Sequence, residues 1–402
     1  MPKLRSCIGA GGAKPCKGPG FGSLFGVDAL AVSPDGRNVY AAAYAADSVL
    51  SFKRASSGKL ALRGCFADGG VNGCAAPPTG SLAGAGGVAV SPGGGDVYVA
   101  AGLGRSVTRF TRGAAGDLTF GACTANAGAG GCLDPSFDPF IGATGVVVGP
   151  GGGDIYTASF DVAAATWLTR GPDGSLPVRG CLADAGNFGC ASTPGAVLEG
   201  AAGLALDPKG RDLYVASLAS GSLTQLRRAK DGSLSYKGCW AGLGANGCKK
   251  LPVDSLLGAS GIAVSPDGKR LVVASQAGTV TSFNRSPKSG RVKFRSCVGD
   301  DGKGGCEKPK RDSIRQATSV VLSGDDVYVA SQGSDSITRM ALDAKGRLEW
   351  VSCLAPRSST KGCAKAPAAA LDGAYAIAAA GKSLYVGAST SGVLSTFKLP
   401  KK

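Results

Sequence analysis

A motif close to S-L-x-G-A-x-G recurs seven times along the chain, and its two variable positions carry the groups best suited to chemistry. The first reads Phe25, Ala83, Ile141, Glu199, Leu257, Arg315 and Asp372. The second reads Asp28, Gly86, Thr144, Ala202, Ser260, Thr318 and Tyr375. Where copies of a repeat agree, the residue serves the fold. Where they disagree and turn polar, the residue is a candidate for a site. Set around one cavity, Glu199, Arg315, Asp372, Asp28 and Tyr375 would supply carboxylates, a guanidinium and a phenol. That set can bind a sugar acid, hold a divalent cation such as calcium through oxygen ligands, or activate water. The plainer alternative is a hydrated bore plugged by salt bridges.

Other chemistries are excluded by composition. The chain has no His, which removes Ser-His-Asp and Cys-His nucleophiles and histidine acid–base catalysis. No G-x-x-x-x-G-K-[ST] phosphate loop occurs. The GGG runs at Gly93–Gly95 and Gly151–Gly153 stand where other copies have PDG, so they are turn residues. No stretch of eighteen apolar residues is present, and no transmembrane helix is expected.

The fourteen cysteines fall into seven pairs: Cys7 and Cys16, Cys65 and Cys74, Cys123 and Cys132, Cys181 and Cys190, Cys239 and Cys248, Cys297 and Cys306, Cys353 and Cys363. Structural zinc takes four Cys or His ligands per ion, in knuckles tighter than C-x8-C, and seven pairs do not divide into fours. Redox catalysis favours C-x-x-C at one special place. Seven local disulfides remain. Each closes a Gly-rich connection whose ordering is entropically expensive and is worth about 2–3 kcal/mol on the chain-entropy model.

The elements that must position these residues follow from the same repeat. The first cysteines step by 58 residues five times and then by 56; a fixed period of this length means a repeat architecture. Within one period, VDALAVS, RNVYAAAY, DSVLSFKR and SSGKLALRGC are short β-rich runs bounded by Gly, Pro, Asp or Ser. No sustained helical periodicity is present. Each period therefore reads as a four-stranded antiparallel meander. The last copy, VLSTFKLPKK, stops at its third strand, and the chain opens on PKLRSC, which matches a fourth. Residues 1–7 are expected to complete the blade formed by 366–400, closing a ring without a free sheet edge. The fold class is all-β, a seven-bladed β-propeller forming one domain over 1–402, with inner strands lining an axial channel.

VSPDGRNVYAA, VSPGGGDVYVA, LDPKGRDLYVA and VSPDGKRLVVA, each followed by a strand ending like SFKR, resemble YVTN-type repeats. These occur in the seven-bladed lactonase-like propellers, whose namesake is 6-phosphogluconolactonase; the resemblance covers nearly the whole chain, and the cysteine pair in each blade is an addition to the pattern. It implies lactone hydrolysis at polar groups of an axial pocket. Some relatives use His and Arg there, of which this chain offers Arg315 alone. Neighbouring families hold calcium through Glu, Asn and Asp, for which Glu199, Asp372 and Asp28 are the stand-ins.

Net charge is +16. Between Gln225 and Val320 there are 18 Lys and Arg against 7 Asp and Glu, among them Arg227, Arg228, Lys249, Lys250, Arg291, Lys293, Arg295, Lys308, Lys310 and Arg311. Such a sector attracts polyanions or serves only as solubilising surface. Aromatic residues do not interleave with it as stacking platforms would, so sequence-specific nucleic-acid binding is not expected. Disulfides place the working protein outside the cytoplasm, secreted or on a cell surface, with a leader absent from this chain. Three functions are compatible: a binding module for a glycan, an anionic surface polymer or a protein partner; a sugar-lactone hydrolase with an axial site; and a structural module. Binding is favoured, with a monomer expected and no cofactor required.

Overall fold

In blade one the second strand, Asn38–Ala43, is buried along its whole length, whereas the fourth, Leu60–Ala67, alternates between exposed and covered residues. The difference follows from position: the inner strands are sandwiched between neighbouring sheets, and the outermost one meets solvent on part of each face. The computed structural model describes residues 1–9, 16, 18, 22–242, 244–356, 360 and 362–400. It arranges them as seven sheets, each built on four antiparallel strands, and three of the sheets carry a short fifth strand. Most of the Cys7–Cys16 loop and the last two residues of the expected domain lie outside the described residues.

The inner strands are Val27–Val32, Ala85–Val90, Ala143–Val148, Ala201–Leu206, Ala259–Val264, Ala317–Ser323 and Ala374–Ala380. Blade seven takes its fourth strand, Lys3–Gly9, from the start of the chain. It pairs antiparallel with Val393–Lys398, from Lys3 opposite Lys398 to Gly9 opposite Val393. Among the described residues, no helix is long and apolar enough to cross a membrane.

Blade boundaries are tied by the tyrosine of the second strand. Tyr40, Tyr156 and Tyr385 donate through Oη to the carbonyls of Gly116, Gly232 and Gly58 in the adjoining blade, at 2.9–3.0 Å. Arg54, Arg228 and Arg285 in turn donate through Nε to the phenols of Tyr385, Tyr156 and Tyr214. Arg285 is fully covered, with Nη2 2.8 Å from Asp212 and 3.1 Å from Asp207.

Seven disulfides, one per blade, close the outer loops. They do more than shorten a floppy connection. After the second cysteine the chain returns parallel to the fourth strand, as Ala191–Thr193, Lys249–Leu251 and Ala364–Lys365 in blades three, four and six. In blades one, two and five it returns as single bridges. Parallel pairing normally needs a long crossover. Here the disulfide holds the returning segment within reach, and the outer edge of the sheet is covered. In six of the seven loops a glycine precedes the second cysteine, and Gly73 and Gly247 make this turn with φ near +72°.

Candidate functional site

The inner strand of every blade carries a register irregularity at one place. In blade one, Val27 faces Ala43 and Ala29 faces Ala42, leaving Asp28 as the extra residue. The same shift leaves Gly86, Thr144, Ala202, Ser260, Thr318 and Tyr375 unpaired in the other six. A bulge re-aims the side chain it carries. All seven of these residues line one axial cavity of about 460 Å³. Leu30, Val88, Val146, Leu204, Ile262 and Ile377 form an apolar part of its wall.

Glu199, Arg315 and Asp372 do not line this cavity, which corrects the expectation of one five-residue cluster. The residue after each of them is left-handed: Gly200 at φ +71°, Gln316 at +50° and Gly373 at +69°. The chain turns there before the strand starts. The carbonyls of Glu199, Arg315 and Asp372 are instead tied to the turn between the second and third strands, by the amides of Ser220, Gly333 and Ser391. Glu199 and Arg315 are exposed and Asp372 is half-covered. Burial and the nearby charge of Asp335 push the Asp372 carboxyl up. Among the described residues, no three Asp, Glu or Cys side chains converge as a cation site would require.

Asp28 and Tyr375 do come together, across the boundary of blades one and seven. Burial raises the Asp28 carboxyl from 3.8 to about 6, although Ser389 Oγ donates to its Oδ1 at 3.1 Å. Burial, with the charge of Asp28, pushes the Tyr375 phenol up to about 12. Ser260 Oγ donates to the Thr318 carbonyl at 3.3 Å, and Thr318 Oγ1 to the Tyr375 carbonyl at 2.7 Å. These bonds run from blade to blade around part of the wall. Arg and Lys are missing from the lining, so its one ionisable acid stands without a cation.

A second set of lining residues lies outside the repeat motif: Tyr44, Phe160, Leu218 and Gln276. They follow the second strand, where the copies read Tyr44, Gly102, Phe160, Leu218, Gln276, Gln332 and Ser389. That position diverges as strongly as the bulge does, so the same rule applied there would have found it. Tyr44 lies over the next blade, where a Cβ on Gly86 would sit 3.7 Å from its ring. A Cβ on Gly84 would stand 3.0 Å from the same ring, so it is Gly84 that makes room for the phenol. Burial raises the Tyr44 phenol, helped by the charges of Asp161, Asp28 and Asp47.

Fold and cavity together define a seven-bladed propeller with a polar axial pocket. No protein-family model matches the chain, and no curated protein matches it. Solved structures do. The periplasmic gluconolactonase PpgL of Pseudomonas aeruginosa is 18% identical, with a TM-score of 0.56 over 81% of this chain and 84% of that one. A putative 6-phosphogluconolactonase from Bacteroides fragilis is 16% identical, with a TM-score of 0.58 over 84% of each chain. The β-propeller domain of Cps50 from Myceliophteria thermophila is 11% identical, with a TM-score of 0.62 over 100% of each. Likeness at this identity establishes the propeller and leaves activity to the site.

Proposed function

We propose that the protein is a small-molecule-binding propeller whose axial cavity takes a neutral, polyhydroxylated ligand of sugar size, and that it works in an oxidising compartment outside the cytoplasm. The observation that carries this reading is the seven bulges that aim one residue per blade into a single cavity, with Asp28 and Tyr375 side by side in it. A volume of about 460 Å³ suits one such ligand. Asp28, Tyr44, Thr144, Ser260, Gln276, Thr318 and Tyr375 supply the polar groups that a ring of hydroxyls needs. A lone carboxylate without a cation disfavours anionic ligands, so sugar acids and phosphosugars rank below neutral sugars. The seven disulfides support the compartment.

Hydrolysis of a sugar lactone is the second reading, favoured by the Asp28 carboxyl. A group that titrates near 6 is well placed to take a proton from water at neutral pH. The Tyr375 and Tyr44 phenols are donors for the oxyanion that forms at the lactone carbonyl. The two lactonase-named neighbours are consistent with it.

The test is calorimetric binding of glucitol, gluconolactone and its 6-phospho form, with lactone turnover followed against the uncatalysed rate. Neutral members are expected to bind more tightly than the phosphorylated one, and Asp28→Asn to weaken them about tenfold. Binding by no neutral member, or binding indifferent to Asp28→Asn and Tyr375→Phe, overturns the cavity as the site. Turnover that rises with pH through about 6 and vanishes in Asp28→Asn establishes the hydrolase.

A further inference from the structure

A second concavity, of about 400 Å³, lies apart from the axial cavity and is lined by Lys308, Lys310, Arg311, Asp312, Arg315 and Thr360. We propose that it is a binding site for a ligand bearing clustered phosphate groups. Both of its walls depart from the repeat. One is the connection from blade five to blade six, which reads EKPKRDS after Cys306, where blade one has AAPPTGS after Cys74. The other belongs to the loop closed by Cys353 and Cys363, whose sequence separation of 10 differs from the 9 of the other six. By the rule that brought out the axial residues, divergence in both walls marks a site.

Much of the basic sector is already engaged. Arg228 and Arg285 are tied to carboxylates at blade boundaries, and Arg227 reaches Asp212 at 3.4 Å. Lys249 lies 5.5 Å from the Trp240 ring. These serve the fold. In the cleft, Lys308 pairs with Asp301, which lies outside the lining. Among the described residues, Lys310, Arg311 and Arg315 form no ion pair. Each guanidinium is held by one nitrogen: Arg315 Nε donates to the Gly333 carbonyl and Arg311 Nη1 to that of Lys310, both at 2.8 Å. The fork is thereby oriented with further donors left over, the arrangement that suits bidentate phosphate recognition. Asp312 offsets one of these charges, and the excess that remains attracts compact, multiply charged anions most strongly.

Inorganic tripolyphosphate is the probe, titrated by calorimetry into the whole protein at low and high salt. One saturable site is expected, weakening as salt rises. Arg311→Gln with Arg315→Gln should lose about tenfold in affinity. Lys293→Gln with Arg295→Gln, equal in charge but on the exposed outer strand of blade five, should lose less than about threefold. Equal losses in the two doubles would mean that the overall positive field attracts the probe, and the proposal would fall; so it would if no saturable site appears. Should the cleft double melt early, Lys310→Gln alone must still weaken binding more than Lys293→Gln does. Asp28→Asn leaves this binding unchanged, so the fate of the axial reading is separate.

Discussion

The two ends of each repeat obey opposite rules. At the outer end, Cys65–Cys74 and its counterparts recur with nearly the same spacing, and in six of the seven with the same glycine turn and the same returning segment. At the inner end, the bulge recurs just as regularly, yet the residue it carries is Asp28 in one blade, Gly86 in the next and Tyr375 in another. Backbone geometry is constant at both ends; only the inner end lets the side chain vary. A repeat protein can therefore hold a rigid frame and still assemble one asymmetric site, by repeating the device that aims side chains and varying what is aimed.

Breaking the outer device in one blade should have the largest effect. Cys239→Ser with Cys248→Ser is expected to lower stability by about 2–3 kcal/mol, read by thermal unfolding, while axial ligand binding stays intact. A comparable loss of binding would mean that the two ends are coupled.

The inner device sharpens the contrast through pH. The Asp28 carboxyl stands near 6 in the folded protein against an ordinary 3.8, so charging it opposes folding. The stability linked to it is full below about pH 4 and is lost as pH rises through about 6. Asp28→Asn should match the parent near pH 4 and exceed its stability by about 2 kcal/mol near pH 8. Asp300, also raised to about 6 by burial, adds the same trend to both proteins and cancels in their difference. A difference independent of pH would show that Asp28 is not desolvated.

The smallest effect separates two adjacent glycines. A Cβ on Gly87 would stand 2.7 Å from the Thr144 carbonyl oxygen, whereas one on Gly86 meets nothing closer than 3.6 Å. Gly87→Ala should lower stability by about 1 kcal/mol or more, and Gly86→Ala by less than about 0.5 kcal/mol. Gly86→Ala should instead perturb ligand affinity, because it adds a methyl group to the cavity wall. The reverse ranking in unfolding would place the close approach at the wrong residue.

The fold was legible because each of its parts is local. The period of the cysteines counts the blades, VSPDGRNVYAA signals a turn between two strands, and PKLRSC supplies the strand that VLSTFKLPKK lacks. The site was legible in part. Divergence at the motif's second variable position pointed to Asp28 and Tyr375, which do line the cavity. The same rule misplaced Glu199, Arg315 and Asp372. One sequence does not say that Gly200, Gln316 and Gly373 turn the chain left-handed before the strand, nor that the bulge falls three residues further on. A bulge belongs to a pair of strands and leaves no mark on either alone. Tyr44 and Phe160 were passed over because they sit just beyond a strand. The parallel return after the second cysteine in blades one to six was hidden because pairing across so short a loop depends on the covalent link.

Every disulfide is confined to a single loop, so no covalent bond crosses the seam where Lys3–Gly9 meets Val393–Lys398. Topologically the ring is an open thread fastened by hydrogen bonds. Lys3 lies opposite Lys398, so a pull on these two residues loads one rung of the ladder at a time. The seam parts like a zipper rather than resisting as a row of bonds in shear, and with all seven loops still closed the ring would unfurl blade by blade from its joint.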